Sequence, residues 1–452
     1  MAQYHLTRRA SLLSTILHQS RGGVAIIRTA PEVPRNADAD YPYRYDSYFH
    51  YLSGFGEPEA VMVLIASPAG NKSILFCREK NLEREIWDGY RYGPAAAQAE
   101  FGFDEAHPID ALPAMLPALL ANQPAVYAQL GVPAVDAMLQ TAFSAIRAQS
   151  RAGQTPPAQL RDVTQVLSEQ RLIKDTHEQG IMAHAASISA AAHVRAMQTT
   201  RVGQREYQVE AELLHEFRRH GSQFPAYQSI VATGANSCVL HYRADAAELK
   251  DGDMLLIDAG CELDGYASDI TRSFPVNGVF SGPQRAVYEL VLAAQDACLA
   301  ELAPGKLFSA YNDAATRVLA QGVIDLGWIK GSLDGVLESG AYRQFYMHRA
   351  GHWLGMDVHD CGDYRDPDSI GQSATTGERP YRALQAGMVL TVEPGLYVRP
   401  ADNVPPEFWN IGVRIEDDAL ITPTGYALTT RGVPVAIADI EAIMRDGKSR
   451  GH

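Results

Sequence analysis

The sequence has few cysteines and no long apolar run. Its five cysteines are widely spaced among 452 residues and form no CxxC pair, so neither a disulfide framework nor a cysteine metal knuckle is indicated. This cysteine usage is typical of a reducing compartment, and we expect a cytoplasmic protein. No apolar stretch approaches the roughly 20 residues that cross a bilayer, so we expect no membrane partner.

Basic residues are fewer than acidic ones. The chain has 39 Lys and Arg residues against 53 Asp and Glu residues, and its net charge is -14. Because such a charge repels polyanions, we expect no nucleic-acid partner. Residues 1–31 contain no acidic residue, as in an organelle transit peptide. Leu6, Ala10, Leu13 and Leu17 recur at helical spacing, however, so we predict the first helix of a folded domain there.

The length predicts two domains, which we place at 1–172 and 173–452. Strand-like runs alternate with helical patterns in the first third, which is typical of an α/β domain. A proline pair within the polar stretch 149–158 indicates a loop near its end. The polar, turn-rich stretch 362–386 is either a loop over the functional site or a solvated surface insertion.

Two acidic residues are predicted to meet in one hairpin. Strand-like runs flank Asp264-Gly265, which is a strong signal for a two-residue turn. With these two residues at the centre of the turn, Asp269 lies opposite Gly260, and Asp258 lies diagonal to Asp269 on the same face. Two carboxylates so close on an apolar strand require a compensating cation or proton. Taken alone, either Asp could instead be a turn or cap residue.

Three later segments carry further candidate ligands. His352 is one of three histidines within twelve residues of a glycine-punctuated stretch, which favours a site over an isolated core histidine. Glu393 follows the strand-like run 389–392, where an unpaired glutamate would be expensive to bury. Alternation places Arg414 and Glu416 on one strand face, and a salt bridge between them on an exposed face is the alternative.

Together these segments predict a metal site. The candidate ligands are Asp258, Asp269, His352, Glu393 and Glu416. Four carboxylates and one imidazole form an oxygen-rich donor set, which suits Mn²⁺ or a similar divalent ion, with zinc as the alternative. Separate structural explanations for all five residues would have to hold at once, so we interpret them as a two-metal hydrolase site. His241 follows a turn and would be a surface histidine without this context.

Several segments resemble the metallopeptidase family with the pita-bread fold, most closely its aminopeptidase P branch. The C-terminal ones are LLIDAGCELDGYASDITRSFPVNG, MHRAGHWLGMDVHDCG, MVLTVEPGLY and IGVRIEDD. RNADADYPYRYDSYFHYLSGF at 35–55 and REIWDGYRYGP at 84–94 resemble the leading domain of that branch. The resemblance implies an α/β N-terminal domain (mixed sheet with helices) and an α+β pita-bread catalytic domain with a curved, mainly antiparallel sheet.

The resemblance also implies a ligand scheme. Asp269 and Glu416 would bridge two divalent metal ions, usually Mn²⁺. Asp258 would hold one ion, while His352 and Glu393 hold the other. A hydroxide between the ions would attack the scissile bond, with Glu393 as general base and then acid.

Further roles surround the metals in this scheme. His241 and His359 match histidines that contact the substrate and stabilise the tetrahedral intermediate. His348 and Tyr397 match positions lining the proline-side pocket. Arg414 matches an arginine that supports the second bridging carboxylate.

The function implied is that of a metal-dependent exopeptidase that releases the N-terminal residue from peptides with proline second. A prolidase, which cleaves only Xaa-Pro dipeptides, is the first alternative. A metal-free pseudo-enzyme or binding protein and a metal-independent C–N hydrolase of the creatinase kind are the others. Trp87 matches a tryptophan that reaches a neighbouring subunit's site in tetrameric relatives, so we expect a homodimer or homotetramer.

Overall fold

The computed structural model describes residues 2–243, 246–369 and 378–449, which fall into two compact units, 1–170 and 171–452. Residues 370–377, in the middle of the polar stretch 362–386, lie outside the described residues, so the expected loop over the site stays a prediction. Among the helices of the described residues, none combines the length and the apolar character that a membrane span needs.

The first unit is built on a mixed sheet. Its strands are β1 (Gly23–Arg28), β2 (Pro34–Asn36), β3 (Ala39–Asp40), β4 (Val61–Ala66), β5 (Lys72–Cys77), β6 (Glu105–Pro108), β7 (Ala125–Ala128) and β8 (Gln159–Asp162). The sheet order is β6-β5-β4-β1-β7-β8, with β1 antiparallel to β4 and parallel to β7, while β2 and β3 form a separate hairpin. The expected α/β architecture is confirmed.

Helices complete the first unit. They are α1 (Ala2–Ser20), α2 (Ser47–Ser53), α3 (Leu82–Asp88), α4 (Gly93–Phe101), α5 (Leu112–Leu120), α6 (Pro133–Ala148) and α7 (Val163–Leu172). The first of these is the helix expected from the leucine spacing near the N-terminus. Apolar side chains of α5 and α6 pack with those of β1, β4, β5 and β7 to form the core of this unit.

The second unit contains short antiparallel strands. They are β9 (Phe224–Pro225), β10 (Ile230–Thr233), β11 (Met254–Asp258), β12 (Cys261–Leu263), β13 (Tyr266–Ala267), β14 (Thr271–Pro275), β15 (Val389–Val392), β16 (Gly395–Val398), β17 (Ile411–Arg414), β18 (Asp417–Thr422) and β19 (Gly425–Leu428). Their sheets are β10-β11-β14, β13-β12-β9, β15-β18-β19 and β16-β17. The predicted strand through Arg414 and Glu416 is therefore interrupted, because the amide of Glu416 donates to the carbonyl of Thr271 on β14 at 3.0 Å.

Helices cover these strands and bury their apolar faces. They are α8 (Thr176–Thr199), α9 (Glu206–Arg219), α10 (Gly282–Ala300), α11 (Phe308–Asp325), α12 (Leu333–Ser339) and α13 (Ile437–Ser449). Helix α8 packs against α9 and α13, and α10 packs against α11. Asp175 begins α8 and Ser281 begins α10, each through a capping box that satisfies the first free amides. The sequence did not predict α11 or α13.

The predicted hairpin has the expected register. Leu263 pairs with Tyr266, and the same register continues where Asp258 pairs with Thr271. Asp264 and Gly265 both have positive φ angles, 49° and 80°, as a type I′ turn requires. The turn therefore fixes the position of every acidic side chain on these strands.

Within this hairpin, the backbone at Gly260 lies very close to the backbone of Ser268. A Cβ atom added at Gly260 would lie 1.7 Å from the backbone oxygen of Ser268, so a methyl group there must displace a strand. We expect Gly260→Ala to lower the free energy of unfolding by about 3 kcal/mol, measured by urea titration.

Gly180→Ala is the matched control. Gly180 lies on the exposed face of α8 with open space around it, so the substitution is expected to stabilise the protein by up to about 1 kcal/mol. An unfolding curve for Gly260→Ala that coincides with the control curve would contradict the close approach.

Candidate active site

The five predicted metal ligands converge on one cavity of about 670 Å³. One ligand atom each from Asp269, His352 and Glu416 lie within 4.8 Å of one another. Nε2 of His352 lies 3.6 Å from Oδ2 of Asp269 and 3.6 Å from Oε1 of Glu393. These separations are too long for hydrogen bonds, and they suit ligand atoms that bind the same metal ion. Asp258, at the end of β11, lines the same cavity.

The tautomer of His352 fits a metal ligand. Its Nδ1 lies 2.9 Å from the carbonyl oxygen of Trp353, which only accepts, so Nδ1 carries the proton. Burial, and then the neighbouring His359, lower the pKa of His352 to about 4, so the ring is neutral. The lone pair on Nε2 therefore faces Asp269 and Glu393.

The electrostatics of the carboxylates fit the same conclusion. Burial, and then the charges of Asp258 and Asp418, raise the pKa of Asp269 well above its usual value. Burial, and then the charge of Asp269, raise the pKa of Glu416 well above its usual value. Burial raises the pKa of Glu393 to about 7. Carboxylates so close and so buried repel one another, and divalent cations remove that penalty. The donor set thus fits a bound metal.

Two hydroxyl residues near the carboxylates were missed by the sequence analysis. The hydroxyl of Tyr227 donates to Oδ1 of Asp258 at 2.6 Å and also contacts Asp269. The hydroxyl of Thr271 donates to Oε2 of Glu416 at 2.6 Å. The predicted hairpin register could have located Thr271, because it pairs directly with Asp258. No sequence signal pointed to Tyr227.

Arg414 connects the carboxylates to the histidines. Its Nη2 donates to Oδ2 of Asp258 at 2.6 Å and its Nε donates to the hydroxyl of Thr271 at 3.1 Å. The expected support of Glu416 is therefore indirect, through Thr271, and the alternative of an exposed Arg414–Glu416 salt bridge does not hold because both side chains are buried.

A directed chain of hydrogen bonds leads on from Arg414. Its Nη1 donates to the hydroxyl of Tyr397 at 2.8 Å, and that hydroxyl lies 2.8 Å from Nε2 of His348. Nδ1 of His348 lies 2.7 Å from the carbonyl oxygen of Arg349, so Nδ1 donates and Nε2 accepts from Tyr397. Burial, and then the charge of Arg414, lower the pKa of His348 to about 4, which keeps the ring neutral.

The remaining predicted residues have different environments. His241 and His359 are exposed at the cavity, and the ring of His359 stacks on His352 with centroids 4.0 Å apart. Burial, and then His241, lower the pKa of His359. Trp87 lies on α3 in the first unit with 82% of its surface exposed, so its role at a subunit contact stays a prediction.

Comparison with known proteins identifies the family. The sequence model of metallopeptidase family M24 matches residues 180–423, and the model of the aminopeptidase P N-terminal domain matches residues 5–127. An Xaa-Pro aminopeptidase of Haemophilus influenzae is 45% identical over 91% of this chain and 91% of its own length. The chain belongs to metallopeptidase family M24.

Solved structures of this family have the same fold. Pseudomonas aeruginosa aminopeptidase PepP gives a TM-score of 0.94 at 45% identity, with 99% of each chain covered. A zinc-substituted Escherichia coli aminopeptidase P in complex with product gives 0.93 at 42% identity, again with 99% of each chain covered. The α/β domain followed by a pita-bread catalytic domain is thus confirmed, and the M24 chain is a metal-dependent enzyme.

A buried ion cluster holds the segment that carries His359 in this M24 chain. Asp360 accepts from Nη2 of Arg171 at 2.6 Å and from Nζ of Lys174 at 2.9 Å, and each of the three side chains is 1% exposed. Although burial raises it, the charges of Lys174 and Arg171 hold the pKa of Asp360 below its usual value. Both oxygens of Asp360 therefore bind cations rather than an imidazole.

Asp360→Asn tests this cluster. Removing the carboxylate charge takes away the buried counter-charge of Arg171 and Lys174, so we expect the free energy of unfolding to fall by about 3–5 kcal/mol in urea titrations. Asp357→Asn is the control, since Asp357 binds Arg171 at 2.9 Å but is 44% exposed, and its loss should cost less than about 1 kcal/mol. Equal effects of the two substitutions would refute the role of burial.

Thr271→Val tests the link between Arg414 and Glu416. The substitution keeps the shape of the side chain and removes the hydroxyl that joins the two groups, so we expect metal affinity to fall tenfold to a hundredfold, roughly, by isothermal titration calorimetry. Thr141→Val on α6 removes an exposed hydroxyl bonded only within its helix and should leave affinity unchanged. Identical affinities for the two variants would show that Thr271 does not orient the ligands.

Proposed function

We propose that this M24 chain is an Xaa-Pro aminopeptidase, which releases the N-terminal residue of peptides with proline at the second position. The observation that carries the proposal is the convergence of four carboxylates and a neutral imidazole on one cavity, in a chain that also has the aminopeptidase P leading domain. The relatives named Xaa-Pro aminopeptidases, which match nearly the whole chain, favour this activity over a prolidase.

Asp258, Asp269, His352, Glu393 and Glu416 would hold two divalent ions, with Mn²⁺ as the proposed physiological metal. Bound there, such ions supply a water of lowered pKa and polarise the scissile carbonyl. The Nε2 lone pair of His352 and the oxygens of Glu393 face the same point of the cavity, and Arg414 fixes the orientation of Asp258.

Four residues would serve catalysis, three of them by direct contact with the reacting groups. Glu393 takes the proton of the attacking water and returns it to the leaving imide nitrogen. His241 and His359, exposed at the cavity, donate hydrogen bonds to the carbonyl oxygen as it gains charge. Arg414 positions the site from behind, because its hydrogen bonds hold Asp258 and Tyr397 in fixed orientations.

Specificity for proline follows from the chemistry of the imide. Proline has no amide hydrogen and a fixed φ angle, so peptidases that need that donor fail on it. His348 lines the cavity beside the metal ligands, and its Nε2 lies 2.8 Å from the hydroxyl of the buried Tyr397. His348, held in place by Tyr397, would form the proline-side pocket. Their fixed geometry suits a rigid five-membered ring.

We further propose a cytoplasmic homodimer or homotetramer whose N-terminal domain, residues 1–172, precedes the catalytic domain at 173–452. Trp87, exposed on α3, would contact the site of a neighbouring subunit in the tetramer. Peptides with an Xaa-Pro N-terminus would be its partners, without nucleic acid or membrane.

Chelation followed by metal restoration tests the proposal. We expect a chelated preparation to lose activity on Xaa-Pro-Xaa tripeptides and longer peptides, and Mn²⁺ to restore it more fully than Co²⁺ or Zn²⁺. Xaa-Pro dipeptides, included in the same panel, should be poorer substrates. Full activity after metal removal, or activity confined to dipeptides, would overturn the proposal.

A further inference from the structure

Two arginines line the catalytic cavity without a charged partner. The guanidinium groups of Arg243 and Arg349 are exposed, and among the described residues neither forms a side-chain hydrogen bond or an ion pair. Arg349 has only a distant contact with the ring of Tyr381, at 6.0 Å. Arg414, the third arginine of this cavity, is instead fully engaged with Asp258, Thr271 and Tyr397.

The backbone at Arg349 is held in a fixed place. Its carbonyl oxygen accepts from His348, the last member of the chain of hydrogen bonds that starts at Arg414. The following residue is fixed as well, because the amide of Ala350 donates to the side chain of Asn312 at 3.1 Å. Arg349 therefore projects from an ordered segment that begins at the proposed proline pocket.

Arg243 occupies a similar position on the other histidine segment. It lies two residues after His241 and follows Tyr242, whose hydroxyl donates to the buried carboxylate of Glu206 at 2.8 Å. The same carboxylate accepts from the amide of Thr233 at 2.9 Å and from the side chain of Asn236 at 3.0 Å, and so anchors this segment. Both arginines thus extend from anchored histidine segments.

The charge of the cavity makes these two cations unusual. The chain carries a net charge of -14, and the cavity floor holds the carboxylates that would be neutralised by divalent ions. Divalent ions would neutralise those carboxylates, and Arg414 is paired with Asp258. The two remaining guanidinium groups would then give this part of the cavity a positive charge. A guanidinium fork binds a carboxylate through two parallel hydrogen bonds.

We propose that Arg349, assisted by Arg243, binds a carboxylate on the residue that follows proline in the substrate. This inference rests on the proposed function, since it assigns the proline pocket to His348. Arg349 is next to that pocket in the chain and exposed, so it reaches the part of the peptide beyond proline. The preferred substrates are therefore tripeptides with a free C-terminus, or peptides with an acidic third residue.

Matched substrates test the proposal on the Mn²⁺-loaded full chain. Ala-Pro-Ala and its C-terminal amide differ only in the terminal carboxylate, while Ala-Pro-Glu amide and Ala-Pro-Gln amide differ only in the side chain. In one of the two pairs, we expect the wild type to cleave the substrate with the carboxylate with about tenfold higher kcat/KM, as for one charge-assisted contact. The difference should lie in KM rather than in kcat. The pair that shows the preference identifies the source of the carboxylate.

Arg349→Gln should reduce that ratio toward one by raising KM for the acid, because only the charge is lost. Arg349→Lys should retain part of the preference, and salt raised from about 20 mM to about 500 mM should lower it in the wild type. Arg343→Gln, at an exposed arginine on the same stretch that does not line the cavity, is the control and should keep the wild-type ratio.

Three results would overturn the proposal. The wild type could show equal kcat/KM for both members of each pair. Arg349→Gln could keep the wild-type ratio of kcat/KM, or could lose kcat/KM equally on both members of a pair. Failure of the underlying function is distinguishable, because the Mn²⁺-loaded wild type would then cleave no peptide of either pair.

Discussion

The main constraint on this structure is that four carboxylates meet in one cavity and repel one another. Asp258 ends a strand, while Asp269, Glu393 and Glu416 lie between strands, and burial raises the pKa of these last three. Such a cluster needs bound protons or positive charge at its centre, and the residues around it fit a bound cation. Neutral His352 offers a lone pair, while the hydroxyls of Tyr227 and Thr271 orient carboxylate oxygens.

Much of this arrangement could be predicted from the sequence because turns fix strand register. The pair Asp264-Gly265 permits one tight turn, and that turn alone places Asp258 beside Asp269. Roles that depend on contacts between distant segments could not be predicted. Asp360 binds Arg171, which lies 189 positions away, and nothing in the local sequence of Tyr227 indicates its two carboxylate partners.

Charge is used in three distinct ways in the second unit. Buried cations with a carboxylate, as at Asp360, fix the backbone and have no access to a ligand. Arg414 is buried as well, but it orients a metal ligand and an aromatic hydroxyl. The exposed side chains of Arg243 and Arg349 have no hydrogen-bond or ion-pair partner among the described residues, which leaves them for the substrate. Buried, paired arginines and lysines thus support the structure, whereas exposed arginines without an ion-pair partner are available to bind substrate.

Anomalous diffraction from crystals of the Mn²⁺-loaded enzyme would locate any metal ions in this cavity. We expect two peaks in the cavity, both in contact with Asp269 and Glu416, one also with Asp258 and the other with His352 and Glu393. A map without metal peaks in this cavity, or with these side chains directed away from one another, would contradict this arrangement.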